Sequence, residues 1–197
     1  MDFFWRRKAA RIVRAWRPES ILDLATGSGD LALTLVRHCP ESLVVGADFC
    51  LPMLLRAKAK GVANLVVADA MQLPFATGTF DALTVAFGLR NMESWPGALR
   101  EMGRVLKPGG HALVIDFSIP ENKALCAAYR FYLHRMLPRI AGIVTREKSA
   151  YDYLARSIEE FPRGGAMTSL MNANGFCDSA CEPLTCGIVS LYTGRRA

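Results

Sequence analysis

Hydrophobic residues in this chain fall into short runs of strand length, separated by stretches of helical period. The runs are Ser20 to Leu24, Leu43 to Asp48, Asn64 to Val67, Phe80 to Ala86 and His111 to Phe117, and the intervals between them suit crossover helices. Strands joined in this way lie parallel, with helices on both faces of the sheet. A helix from Ser94 carries Leu99, Met102 and Leu106 at helical spacing, and Lys107, Pro108, Gly109 and Gly110 are expected to give it a basic last turn and a hard stop. After Pro120 the rhythm changes. Helical stretches over Asn122 to Met136 and Ser149 to Phe161, and a third ending near Gly175, precede apolar runs over Phe176 to Leu184 and Gly187 to Thr193, which read as a closing hairpin. The expected architecture is α/β and doubly wound: a mostly parallel seven-stranded sheet with helices on both faces and a C-terminal antiparallel hairpin. With 197 residues, 51% hydrophobic and 21% charged, and no repeat or linker, a single domain spanning 1–197 is expected.

The net charge of +6 changes this picture only at one end. Arg6, Arg7, Lys8, Arg11, Arg14 and Arg17, set against Asp2, leave +5 near the start, so the remainder is nearly neutral and offers no phosphate-tracking surface for nucleic acid. These cations follow Phe3, Phe4 and Trp5, a pattern that suits either an amphipathic helix on an anionic membrane or partner, or a solvated helix face over the first strand. Aromatics ahead of arginines reverse the order of a secretory signal, and Arg130, His134, Arg135 and Arg139 interrupt the most apolar region, so neither export nor a membrane span is expected. Cys39, Cys50, Cys126, Cys177, Cys181 and Cys186 contain no CxxC pair and read as reduced thiols, with no metal site expected. The expected location is cytoplasmic, with any membrane contact peripheral and at the inner face.

The first strand empties into Ala25-Thr26-Gly27-Ser28-Gly29-Asp30, where glycines let backbone approach a ligand at a helix N-terminus. Asp48 closes the second strand about 20 residues later, where a carboxylate can accept both ribose hydroxyls. Gly27-x-Gly29-x-x-Ala32 alone also fits a dinucleotide fingerprint. Asp23 and Asp30 favour S-adenosyl-L-methionine instead, because carboxylates would repel a pyrophosphate but can contact an ammonium. Met53, one turn beyond Asp48, either packs a thioether against adenine or belongs to the ordinary core. Asp69-Ala70 follows the third strand, where the carboxylate either accepts the adenine amine or caps a turn.

The segments DLATGSGD, ADAMQLPF, FGLRN, RVLKPGG and SAYDYLARSI resemble, in order and spacing, the ubiquinone/menaquinone biosynthesis C-methyltransferase family, and the likeness extends to the closing LTCGIVSLYTG. The glycine motif and RVLKPGG are widespread among methyltransferases; FGLRN and Tyr-x-Tyr-Leu-Ala-x-Ser-Ile are more specific. The resemblance implies a class I, Rossmann-like methyltransferase that moves a methyl group from S-adenosyl-L-methionine to a ring carbon of a lipophilic polyprenyl quinol. It also implies cofactor positions at Gly27, Gly29, Asp48, Asp69 and Ala70, to which the residue pattern itself adds Asp23, Ala25 and Met53. Arg90 and Asn91 match a polar pair at the mouth of the acceptor pocket. The compact chain and LTCGIV favour the menaquinone branch. Relatives carry an extra segment ahead of the helix that opens this chain, so a more open pocket, a shortened form or a cover from another polypeptide is expected. A homodimer or a biosynthetic complex would supply such a partner. Two alternatives stay open: another small-molecule acceptor on the same fold, and a non-catalytic cofactor-binding subunit.

A quinol ring carbon becomes nucleophilic once its neighbouring hydroxyl loses a proton. Asn91 can hydrogen-bond that oxygen, and Arg90, too basic to take the proton itself, can lower the hydroxyl pKa or orient a water. Arg90 otherwise reads as an ion pair capping a strand end. Asp116 ends the fifth strand and can face the pocket, whereas Asp81 and His111 begin strands at the opposite edge and read as structural. Leu125, Tyr129, Tyr132, Leu133 and Met136 fall within an arc of about 100°, opposite Arg130 and His134, and either cover a prenyl tail or pack against the sheet or a partner.

Overall fold

A computed structural model describes residues 2–136 and 148–197; Arg139 lies outside them. The chain runs α1 (Asp2–Ala15), β1 (Ser20–Leu24), α2 (Asp30–His38), β2 (Leu43–Asp48), α3 (Leu51–Ala59), β3 (Asn64–Val67) and β4 (Phe80–Ala86). A 3₁₀ turn (Leu89–Asn91) leads into α4 (Trp95–Val105) and β5 (Leu106–Phe117). Then come α5 (Lys123–Phe131), α6 (Lys148–Glu160), α7 (Gly165–Ala173), β6 (Phe176–Leu184) and β7 (Val189–Arg196). The seven strands form one sheet in the order β3-β2-β1-β4-β5-β7-β6, with β1 to β5 parallel and β7 antiparallel to both neighbours. This is the doubly wound sheet expected from the alternating pattern.

The central strands read as unbroken apolar runs because both faces of the sheet are covered. Successive side chains point to opposite faces. Leu22, Leu24, Leu83, Val85 and Val114 pack under α4 and α7, with Leu99, Met102, Met167 and Met171. Ile21, Ala82, Leu113 and Ile115 pack on the other side with Leu31 and Leu35 of α2 and with α1. Helix α1 buries Trp5, Ala9, Ala10 and Val13, a helical stripe, while Phe3 and Phe4 stay exposed.

Three boundaries differ from the sequence reading. Strand β5 begins at Leu106, directly after α4: Leu106 pairs with Phe80 and His111 with Ala82, so residues 107–110 bulge out of the ladder. Pro108 disfavours helix at the residue before it, and the open edge of Phe80 takes Leu106 instead. Lys107 is therefore no part of the last helical turn, which holds Arg104. Its Nζ lies 2.7 Å from Asp81 Oδ1, and the other Asp81 oxygen accepts from the backbone and hydroxyl of Ser20 at 2.9 and 2.8 Å. Asp81 is thus the structural carboxylate expected, as is His111, stacked on Trp16 with ring centroids 4.7 Å apart.

The closing pair is the antiparallel hairpin expected, turning through a 3₁₀ turn over Thr185–Gly187, with β7 starting at Val189. Helix α5 passes into a π-turn over Tyr132–Met136, and its apolar stripe divides. Leu133 is buried, and Cys126 and Tyr129 are partly so, against Ile119 and the α6 residues Ala155 and Ile158; Leu125, Tyr132 and Met136 face solvent. The helix leans on one neighbour rather than lying on the sheet, so it buries a narrow strip. His134 sits 3.3 Å from Glu159, half exposed.

Gly110 marks the tightest point of the bulge: a Cβ there would stand 2.9 Å from the Lys107 carbonyl oxygen and 3.0 Å from that of Asp81. Both are backbone atoms that cannot yield alone. Gly110→Ala is expected to cost about 1–3 kcal/mol, read in urea denaturation as a lower midpoint at unchanged slope. An unchanged midpoint would mean the bulge is looser than described.

Candidate active site

At the carboxyl edge of the sheet, β1 and β4 lie side by side while the crossovers from them run to opposite sides, which opens a crevice at the switch point. The cleft there measures about 320 Å³. Its walls come from the ends of four strands: Leu24 and Ala25; Asp48 and Phe49; Ala68 to Met71; Gly88 and Asn91 to Glu93.

The turn after β1 is shaped by left-handed backbone at Ala25, Gly27 and Gly29, with φ of 53°, 55° and 78°. The Gly27 N–H donates to Asp48 Oδ2 at 2.8 Å, and the Cys50 N–H donates to Asp48 Oδ1 at 2.9 Å. A single carboxylate at the end of β2 thereby fixes both adjoining loops while still lining the cleft. Gly29 works from below. A Cβ on it would stand 2.6 Å from Val62 Cγ2 and 2.8 Å from Ala57 Cβ, so its absence lets α2 start hard against α3. Met53 reaches the turn, its Cε 3.7 Å from where a Gly27 Cβ would be.

Asp23 lies beneath the turn, fully buried. Its two oxygens accept from the Thr26 hydroxyl at 2.6 Å and the Thr84 hydroxyl at 2.7 Å, tying β1, its loop and β4 together. Burial pushes this carboxyl up to about 6, against the opposing pull of the two hydroxyls. Asp30 instead sits at the surface with Lys60 at 2.7 Å and Arg6 at 3.4 Å. Asp69 uses Oδ1 to accept the Met71 N–H at 2.9 Å, the turn-capping geometry, and also lines the cleft beside Ala70.

Arg90 and Asn91 part company. The Arg90 guanidinium turns inward: Nη1 is 2.6 Å from Asp116 Oδ1 and donates to the Phe87 carbonyl at 2.7 Å, and the group lies over the Phe117 ring at 5.1 Å. Asp116 is wholly buried and also accepts the Arg90 backbone N–H at 3.2 Å, so it closes the strand end rather than facing the cleft. Arg90 Nε is buried with no hydrogen-bond partner. Asn91, exposed, lines the cleft; its Oδ1 accepts from the Tyr153 hydroxyl of α6 at 3.2 Å, and its Nδ2 donates to the Phe87 carbonyl at 3.4 Å.

Three site residues escaped the sequence reading. Gly88 lies so close to the β1 loop that a Cβ would stand 2.5 Å from Ala25 Cβ. Phe49 is 80% exposed beside Asp48, a large apolar ring where burial should have hidden it. Tyr153 reaches the site from a helix more than sixty residues away in sequence. Gly88 had a signal, a glycine just past a strand end inside FGLRN. Phe49 and Tyr153 had only their unusual position and motif.

The profile of the ubiE/COQ5 methyltransferase family matches residues 2–196. The chain is 44% identical over 200 residues to the demethylmenaquinone methyltransferase of Thermus thermophilus, covering 99% of this chain and 90% of that protein. It is 42% identical over 202 residues to the ubiquinone/menaquinone biosynthesis C-methyltransferase UbiE of Syntrophotalea carbinolica, covering 100% of this chain and 85% of that one. Among solved structures, a SAM-dependent methyltransferase from Thermotoga maritima superposes with a TM-score of 0.65 at 18% identity, over 90% of this chain and 82% of that one. Human N-acetylserotonin methyltransferase in complex with SAM gives 0.63 at 18% identity, over 92% of this chain and 48% of that one. Both share the class I methyltransferase fold.

Because the fold raises the Asp23 pKa from 3.8 to about 6, it favours the protonated carboxyl; that contribution to stability is complete below 3.8 and is lost as pH rises through about 6. Asp23→Asn cannot lose it. From pH 4.5 to 7.5 the stability of the variant relative to wild type should improve by roughly 2 kcal/mol in urea denaturation. A pH-independent difference would place Asp23 in a more hydrated site than its burial indicates.

Proposed function

The chain belongs to the ubiE/COQ5 methyltransferase family, and on that premise we propose that it methylates a ring carbon of a polyprenyl quinol, demethylmenaquinol to menaquinol. S-adenosyl-L-methionine supplies an electrophilic methyl group on a sulfonium. The observation that carries this reading is the chemistry of the cleft wall: three carboxylates, Asp48, Asp69 and Glu93, and no Lys or Arg among its described lining residues. Such a wall repels a pyrophosphate and suits a cationic ligand with hydroxyl and amine donors.

Asp48 would accept the ribose hydroxyls with lone pairs not used by Gly27 and Cys50. Phe49 would cover the adenine face, and Asp69 and Ala70 its edge, with Ala25, Gly27 and Gly88 giving backbone access. Asp23 and Gly29 hold this frame from beneath, and Met53 shields the turn. On the acceptor side, Asn91 donates a hydrogen bond to the oxygen that becomes anionic. Arg90, clamped by Asp116, locks from behind the turn that presents Asn91. The ring carbon forms its bond to the methyl group as the bond to sulfur breaks, with net loss of one ring proton. The relative named demethylmenaquinone methyltransferase favours the menaquinone branch.

The test is transfer of labelled methyl from S-adenosyl-L-methionine to reduced demethylmenaquinone in detergent, with the product located by mass spectrometry. Wild type should label the ring carbon. Asp48→Ala should weaken cofactor binding roughly 10- to 100-fold, and Asn91→Ala should lower kcat with cofactor affinity unchanged. Oxygen labelling, or none despite bound cofactor, would reject the reading.

A lipophilic acceptor also needs a route from the bilayer. The Trp5 ring packs 5.7 Å from that of Phe87 and donates to Thr185, which puts the first turn of α1 at the same edge of the sheet as the cleft. Exposed Phe3 and Phe4, with Arg7 and Arg11 also exposed behind them, suit an anionic lipid surface; among the described residues no helix is long and apolar enough to cross a membrane. Vesicles rich in phosphatidylglycerol should sediment the protein, neutral ones should not, and a Phe3→Ser, Phe4→Ser double variant should lose most of that binding. Equal sedimentation of variant and wild type would remove α1 from the contact.

A further inference from the structure

The segment Tyr-x-Tyr-Leu-Ala-x-Ser-Ile lies on α6, away from the sheet, and none of the chemistry assigned above uses it. Helix α6 nevertheless packs against the 3₁₀ turn that carries Asn91, and Tyr153 crosses to meet that residue. A primary amide has two ends of opposite character, an acceptor oxygen and a donor nitrogen. Only the nitrogen can stabilise an oxyanion; the oxygen would repel it. Which end faces the cleft therefore decides whether Asn91 helps or hinders methyl transfer to a phenolate.

The surroundings of Asn91 leave little choice. The Tyr153 hydroxyl, 3.2 Å away, donates to Oδ1 and pins the oxygen toward α6. The Phe87 carbonyl takes one hydrogen from Nδ2 at 3.4 Å, leaving the second for the cleft that Asn91 lines. With the amide flipped, Oδ1 would face the Phe87 carbonyl, two acceptors together. Tyr153 is itself 48% exposed, so its ring is not held there by burial alone.

We infer that Tyr153 is a positioning residue, holding the Asn91 amide so that its nitrogen donates to the acceptor oxygen that carries the developing charge. This rests on the quinol reading above. It assigns α6 the task of setting the orientation of a site group carried by the turn after β4.

The test compares wild type, Tyr153→Phe, Asn91→Ala and the double variant in the same labelled-methyl assay with reduced demethylmenaquinone, across a range of pH, with cofactor affinity measured by calorimetry. Tyr153→Phe keeps the ring and removes only the donor. Its kcat is expected to fall roughly tenfold with KM and cofactor affinity within about twofold, because the lost interaction belongs to the charged state. The kcat is expected to rise with pH as the quinol hydroxyl ionises, and in Tyr153→Phe that rise should move to higher pH, since the quinol then ionises without an oriented donor. In the Asn91→Ala background the same substitution should change kcat by less than about twofold. Undiminished kcat in Tyr153→Phe, or equal losses in both backgrounds, would overturn the inference while leaving the quinol reading intact. Absence of ring methylation by wild type would overturn both.

Discussion

The carboxyl of Asp23 joins parts of the molecule that would otherwise separate. It is buried between β1 and β4 and accepts one hydroxyl from each side, Thr26 in the loop and Thr84 on the neighbouring strand. Two charge-compatible hydrogen bonds make burial tolerable, although they do not cancel its cost, which is why the group holds its proton more tightly than an exposed aspartate. In return the loop after β1 is held at one height over the sheet edge. From that height Gly27 can reach Asp48, and Ala25 can rest against Gly88. The cleft exists because these loops are closer together than side chains at every position would allow.

Its walls are acidic and apolar. Three carboxylates, Asp48, Asp69 and Glu93, line it together with the exposed Phe49 ring, the Asn91 amide and two methionines. Arg90 is withdrawn into an ion pair with Asp116, where two backbone N–H groups share the same carboxylate. A buried pair of this kind contributes modestly to stability once desolvation is counted, yet losing either partner leaves a stranded charge. Its value here is geometric. It locks the 3₁₀ turn from behind, so that Asn91 is presented at a fixed place.

How much of this the sequence made legible follows from the range of each interaction. Strand runs, crossover lengths and the glycine turn are local or nearly so, and they specify the sheet and the edge that carries the cleft. The positions of Asp48, Asp69 and Asn91 just after strands are equally local, and all three line the cleft. Residue pairs distant in sequence were not legible. Arg90 as an ion pair capping a strand end was one of two open readings, decided by its partner on β5, and Leu106 joined a strand rather than a helix because Phe80 offered a free edge.

The amino-acid sequence by itself determined the class of fold, the order of its elements, the family and the carboxylates that follow successive strands, since periodicity and short motifs carry them. The tertiary structure alone decided which candidates meet. It brought Tyr153 to Asn91, drew Arg90 and Asp116 away from the cleft, set Met53 against the Gly27 turn, and divided the α5 stripe between core and solvent. The physical reason is common to all four. A side chain's direction is set by the partner it finds across the fold, and no local pattern encodes that partner.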